Sequence, residues 1–219
     1  MFFHKFTAKI PVFFIMVLFP VLLPVFTFSN SSPFVKWSFP FQALFLAVFA
    51  FILVIANPEL YEKNKSDKTR LSKKILFTIC VFFILNITAF VLQKIGNLFS
   101  QNQIFNIIKP EGVKEWTYCL INFFFSSFYE EGVYRFFIPE ALLYFTRNCK
   151  DKRMVEIDCE ILGMILFALG HIYLGILSVI NAAIAYFVLR FCFKKTNSLI
   201  PGTAAHFLYN VLQLAVSPF

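Results

Sequence analysis

ILFTICVFFILNITAFVLQ, from Ile75 to Gln93, runs for nineteen residues without a charged side chain. At 1.5 Å per residue, a helix of that length crosses the roughly 30 Å of hydrocarbon in a bilayer. A strand is no alternative, because lipid would leave its backbone donors and acceptors unpaired. Working outward, the same rule marks about seven spans, near Pro11–Ser29, Phe39–Asn57, Ile75–Gln93, Trp116–Phe137, Ile157–Tyr173, Ile176–Phe193 and Leu199–Val216. Lys5 and Lys9 precede the first span as they would a signal peptide. Its apolar core is long, however, holds Pro20 and Pro24 and lacks an A-x-A site, so a retained, kinked helix is expected. The fifth and sixth spans are separated only by His171-Ile172-Tyr173-Leu174-Gly175, a hairpin that need not reach the far leaflet.

Composition agrees. Of 219 residues, 59% are hydrophobic and only 15% charged, with a mean hydropathy of +0.73. One soluble core of this size could not hide so much apolar surface. The expected fold class is therefore all-α, a polytopic helical membrane protein. Residues 1–115 would supply N-terminal helices of unassigned role, and residues 116–219 a catalytic core in the same integrated domain. The net charge of +8 lies mostly in short connections, which excludes nucleic acid as the partner it would otherwise suggest. Lys63, Lys65, Lys68, Arg70, Lys73 and Lys74 crowd the second connection. Arg147, Lys150, Lys152 and Arg153 crowd the fourth, and Lys194 and Lys195 the sixth. The positive-inside rule then places the N-terminus in the cytoplasm and the C-terminus outside, in a cell (inner) membrane. Cys80, Cys119, Cys149, Cys159 and Cys192 have no zinc-type spacing and read as reduced thiols rather than a disulfide frame.

The fourth span contains the anomaly, FYEEGVYRFF, from Phe128 to Phe137. Charges within a bilayer cost several kcal/mol each unless they are paired or face a wet cavity. Glu131 and Arg135 stand four residues apart on one helix face and can form an ion pair. Glu130 points about 100° away and stays free for proton chemistry. A helix ending near Phe137 would also let all three reach headgroups, as a bland interfacial cluster. Two later stretches weigh against that. FALGH places His171 four residues after Phe167, and HFLYN places His206 and Asn210 on one face of the last span. Glu130, His171, His206 and Asn210 thus come from the fourth, fifth and seventh spans, and the active site is expected between them.

A carboxylate in a low-dielectric cavity can take a proton from water near neutral pH, and an imidazole can share it. Donors such as the Asn210 amide and the His206 ring can stabilise a developing oxyanion by about 3–4 kcal/mol each. These parts describe peptide-bond hydrolysis by an activated water. Metal-dependent hydrolysis is the close rival, with Glu130, His171 and His206 as ligands of a divalent ion such as zinc. No HExxH helix is present, and the cofactor requirement is open: none, or such a metal. A proton-coupled transporter would use the same residue types, but no repeated halves are visible. A third class is an immunity or binding protein that holds a peptide without cutting it.

EEGVYR, FALGH and HFLYN, in this order, resemble the CPBP family of CAAX-protease and bacteriocin-processing intramembrane proteases, which includes the type II CAAX prenyl endopeptidases. The family pattern is EExxxR, FxxxH and HxxxN, and the match covers roughly Phe123 to Leu214. The resemblance implies that Glu130 activates water together with His171. It implies further that His206 and Asn210 position the water or hold the oxyanion, with Glu131 and Arg135 in support. It also implies a membrane-bound or amphipathic peptide substrate and a site opening to the cytoplasm. Where the family commonly has glycine after the arginine, this chain has Phe136.

Overall fold

The structure, a computed structural model, describes Ile10 and residues 12–17, 37–61, 70–98 and 109–216. No strand occurs among these residues. In chain order the helices are α1 (Phe41–Ala56), α2 (Leu71–Leu98), α3 (Gly112–Glu130), a π-helix (Glu131–Phe137), α4 (Ile138–Phe145), α5 (Lys152–Leu169), a 3₁₀ turn (Ile172–Leu174), α6 (Ile176–Thr196) and α7 (Leu199–Val216). A single turn, Pro58–Tyr61, follows α1. The expected first span falls mostly outside the described residues; residues 12–17 are helical.

Among the described residues three helices, α2, α6 and α7, are long and apolar enough to cross a membrane. Helix α1 is apolar but shorter, at 16 residues, and α3 and α5 are not among the three. Helix α2 buries only Val81, Leu85 and Gly96 along its 28 residues. Its large side chains, including Ile75, Ile79, Phe83, Ile87 and Phe90, are exposed. An apolar outer face of this extent has the character of a lipid-facing surface. Cross-helix amides tie α2 and α6 to α7: Gln213 donates to Asn86 at 2.9 Å and Asn181 to the Tyr209 hydroxyl at 2.9 Å. Such bonds are worth roughly 0.6 to 2 kcal/mol each in a bilayer. The five cysteines are free, as expected, with Cys119, Cys159 and Cys192 buried.

The motif-bearing stretch is the middle of the molecule. Every residue from Glu131 to Pro139 is buried, and the π-helix touches α1, α5, α6 and α7. The chain does not leave the helix near Phe137, as the length rule suggested, but runs on into α4 as far as Phe145. The change of pitch has a local cause. Pro139 carries no N–H, so the Arg135 carbonyl four residues earlier lacks its α-helical donor. The hydrogen bonds there step to five residues, with the Ile138 N–H donating to the Val133 carbonyl. Insertions of this kind recur at functional sites.

Helix α5 starts at Lys152, capped by the Asp151 carboxylate, which accepts from the Met154 N–H at 3.1 Å. That start precedes the expected Ile157, so His171 lies further from the beginning of its helix than the sequence suggested. The helix closes at Leu169, leaving His171 in the turn before the 3₁₀ segment. Gly175, at φ 89°, reverses the chain into α6 in a conformation that favours glycine.

Candidate active site

Glu131 and Arg135 form the expected pair, with Arg135 Nε 3.4 Å from Glu131 Oε1. Both are essentially sealed from solvent, at 1% and 0% side-chain exposure. Among the described residues the Arg135 side-chain nitrogens make no hydrogen bond. The guanidinium instead lies over the Phe167 ring, 3.8 Å from Cζ to the centroid, with the Tyr186 ring at 5.7 Å. Aromatic faces of α5 and α6 therefore supply negative quadrupole where a second acceptor would otherwise stand.

His206 of α7 enters between the two carboxylates. Its Nδ1 is 3.2 Å from Glu131 Oε1, and its Nε2 is 3.7 Å from Glu130 Oε2. A carboxylate accepts and an imidazole nitrogen facing it donates, so Glu131 favours the proton on Nδ1. In the neutral ring, Nε2 then presents a lone pair on the Glu130 side. Glu130 is the accessible member, at 24% side-chain exposure against 9% for His206 and 1% for Glu131. Arg135, Glu131 and His206 thus form one chain, an ion pair followed by a hydrogen bond, which runs from the sealed core toward Glu130 on the open side.

The approach of Glu131 to α7 depends on Gly202. A Cβ at that position would stand 2.7 Å from Glu131 Oε2, inside contact distance. Alanine favours helix over glycine by about 1 kcal/mol, so Gly202→Ala should not harm α7 itself. It should displace the carboxylate and lower turnover by roughly 10-fold or more, since small misplacements at a reacting centre are costly. The initial cleavage rate per folded molecule checks this, and an unchanged rate would remove Glu131 from the machinery.

Asn210, one turn beyond His206, donates to Ser127 Oγ of α3 at 3.5 Å, a long contact. His171 stands apart. Its Nδ1 lies 3.0 Å from the Phe167 carbonyl, which can only accept, so its Nε2 is the free acceptor. No described contact joins His171 to Glu130 or His206. The link is indirect, because Phe167 meets the His171 ring edge to face, with centroids 4.8 Å apart, and also carries Arg135. Among the described residues, no three His, Cys, Asp or Glu side chains are grouped to hold a metal. The ligand set Glu130, His171 and His206 is not grouped in this way.

A second buried cluster lies beneath the first, and the sequence reading passed over it. Arg190 of α6, 2% exposed, binds Glu160 of α5 through Nε at 3.0 and 3.1 Å and through Nη2 at 2.9 Å. It binds Glu140 of α4 through Nη2 at 2.9 Å, and its Nη1 donates to the Arg135 carbonyl. Lys194 joins Glu160 and Glu156 from the rim, at 2.9 and 3.0 Å. A cavity of about 500 Å³ lies on this side, lined by Glu140, Arg147, Lys152, Glu156 and Lys194 among others, and includes neither Glu130 nor His206. Glu160 and Arg190 sit inside apolar runs, the same signal that singled out Glu130.

Fold and cluster together define the class: a helical integral membrane protein in which a π-helix carboxylate and an imidazole of α7 meet in the core. The family follows from the same stretch. Residues 112–212 match the family described as type II CAAX prenyl endopeptidase Rce1-like, and this stretch is an Rce1-like domain of the CAAX-protease kind that EEGVYR, FALGH and HFLYN resemble. Proteases of this family are hydrolases acting on protein or peptide. No curated protein and no solved structure matches the chain.

Proposed function

We propose that the protein is an intramembrane endopeptidase of the CAAX type, which hydrolyses a peptide bond in a membrane-anchored or amphipathic peptide. The carrying observation is the His206 ring held between Glu131 at 3.2 Å and Glu130 at 3.7 Å. Glu130 is the proposed base. It takes a proton from water, and the hydroxide attacks the scissile carbonyl carbon. His206, its Nδ1 held by Glu131, receives or returns a proton at Nε2 as the tetrahedral intermediate forms and collapses. The Asn210 amide is the proposed donor to the oxyanion. His171, its free Nε2 opposite the Phe167 carbonyl bond, is proposed to orient the attacking water in the substrate-bound state. Glu131 and Arg135 hold His206 and do not touch substrate. Seven spans, with the site between the fourth, fifth and seventh and open to the cytoplasm, complete the proposal. The N-terminus would lie on that side.

The reading is tested with purified protein in liposomes and two anchored peptides. One ends in a prenylated Cys–aliphatic–aliphatic–X sequence, and the other is an unprenylated amphipathic helix. Cleavage in ¹⁸O-labelled water should place one heavy oxygen in the new carboxylate and release a free amine. Intact peptides after prolonged incubation with folded protein would overturn the assignment. Cleavage of the second peptide alone would move the substrate class away from prenylated chains.

A further inference from the structure

We propose that Arg190 is a positioning residue of the active site, acting through the π-helix rather than on substrate; this deepens the endopeptidase reading and rests on it. Pro139 leaves the Arg135 carbonyl without its α-helical donor, and Arg190 Nη1 donates to that carbonyl from α6. The same guanidinium is held by Glu160 and Glu140, so its position is set from α5 and α4 together. Arg190 therefore pins the backbone of the residue whose side chain pairs with Glu131, one link from His206.

The geometry asks for a guanidinium. An arginine offers five N–H donors in a flat fork, and three directions are used here: Glu160, Glu140 and the carbonyl. A lysine keeps the charge but as a single point, and cannot span all three. Buried at 2% exposure, Arg190 also needs its carboxylates, since an unpaired charge at this depth is costly. The network explains why a charge-rich cluster lies one helix layer away from the reacting groups. It fixes a helix whose pitch is not the intrinsically favoured one. Neither Glu160 nor Arg190 is needed to touch substrate for this role.

The test uses the full chain in detergent micelles and liposomes with the substitution Arg190→Lys. Cleavage should fall about 10- to 100-fold in kcat, as expected for a small misplacement of reacting groups, with KM changed less than about 2-fold. A role confined to stability would lower the folded fraction and leave kcat per folded molecule unchanged. A second readout is independent of activity. With nitrogen-15 histidine, the three ring systems of His4, His171 and His206 are observed, and His206 is assigned by its loss in His206→Gln. The wild-type His206 should show a single Nδ1-protonated tautomer, and Arg190→Lys should show a mixture. This arm reads the proposal even if no peptide is cleaved by the wild type. Should Arg190→Lys fail to fold, Glu140→Gln loosens only the contact of Nη2 with residue 140 and keeps those with Glu160 and the carbonyl. It should lower kcat a few-fold and broaden the His206 signal. Wild-type kcat and a single His206 tautomer in whichever of these variants folds would overturn the proposal.

Discussion

Glu130→Gln should abolish most cleavage, lowering the rate by about 100- to 10,000-fold, the range for removing a general base. The substitution changes almost nothing else. Glutamine has nearly the volume of glutamate, and Glu130 is the exposed end of the site, with His206 Nε2 3.7 Å away. No buried counter-charge is orphaned, because Arg135 pairs with Glu131 instead. Stability should therefore shift by no more than about 0.5–1 kcal/mol, as at ordinary half-exposed positions. What is lost is the ability to take a proton, since an amide nitrogen is not basic. Initial rates in liposomes, normalised to the monodisperse protein on a sizing column, provide the measurement. A variant that retained more than a tenth of the wild-type rate would show that the base is elsewhere.

Glu131→Leu should act on stability as well as on activity. Arg135 is fully buried, and its guanidinium has Glu131 as its ion partner, so deleting the carboxylate leaves an uncompensated charge in the core. Breaking a buried pair from one side costs about 3–5 kcal/mol. The aromatic faces of Phe167 and Tyr186 offset part of this, which favours the lower end. The double variant Glu131→Leu/Arg135→Met removes both charges and should recover more than half of the loss. Activity should stay about 100-fold or more below wild type in both variants. In each, the His206 Nδ1 has lost the acceptor that holds its tautomer, a loss that in triad enzymes costs up to about 10,000-fold. Unfolding midpoints in detergent and cleavage rates on the same samples separate the two effects. Recovery of stability and activity together in the double variant would contradict the role given to Glu131.

Much of this architecture is legible along the chain, and the reasons are local. Ile75–Gln93 announces a membrane helix because length and apolarity alone satisfy a bilayer, and α2 contains that run whole. Glu131 and Arg135 pair because four residues make about one turn, a rule indifferent to tertiary context. The ordered EEGVYR, FALGH and HFLYN motifs identified the family, and the family match spans all three. The roles assigned to Glu130, His171, His206 and Asn210 remain proposals, and His171 shows how far linear spacing reaches. FALGH put it near Phe167, where its ring does lie, yet no spacing rule could say whether that turn carries it to Glu130.

Sequence alone determined the helical membrane class, the Glu131–Arg135 pair and the family, because each depends on neighbours within a turn or on the length of one run. Only the tertiary structure decided which carboxylate takes His206 Nδ1, since that contact joins residues 75 apart in the chain. It decided too that a Cβ at Gly202 would displace the Glu131 carboxylate and that Arg190 completes the backbone left open by Pro139. Those outcomes depend on how separate helices approach one another, where a single Cβ or one guanidinium changes which atoms can meet. Helical periodicity carries no record of that distance.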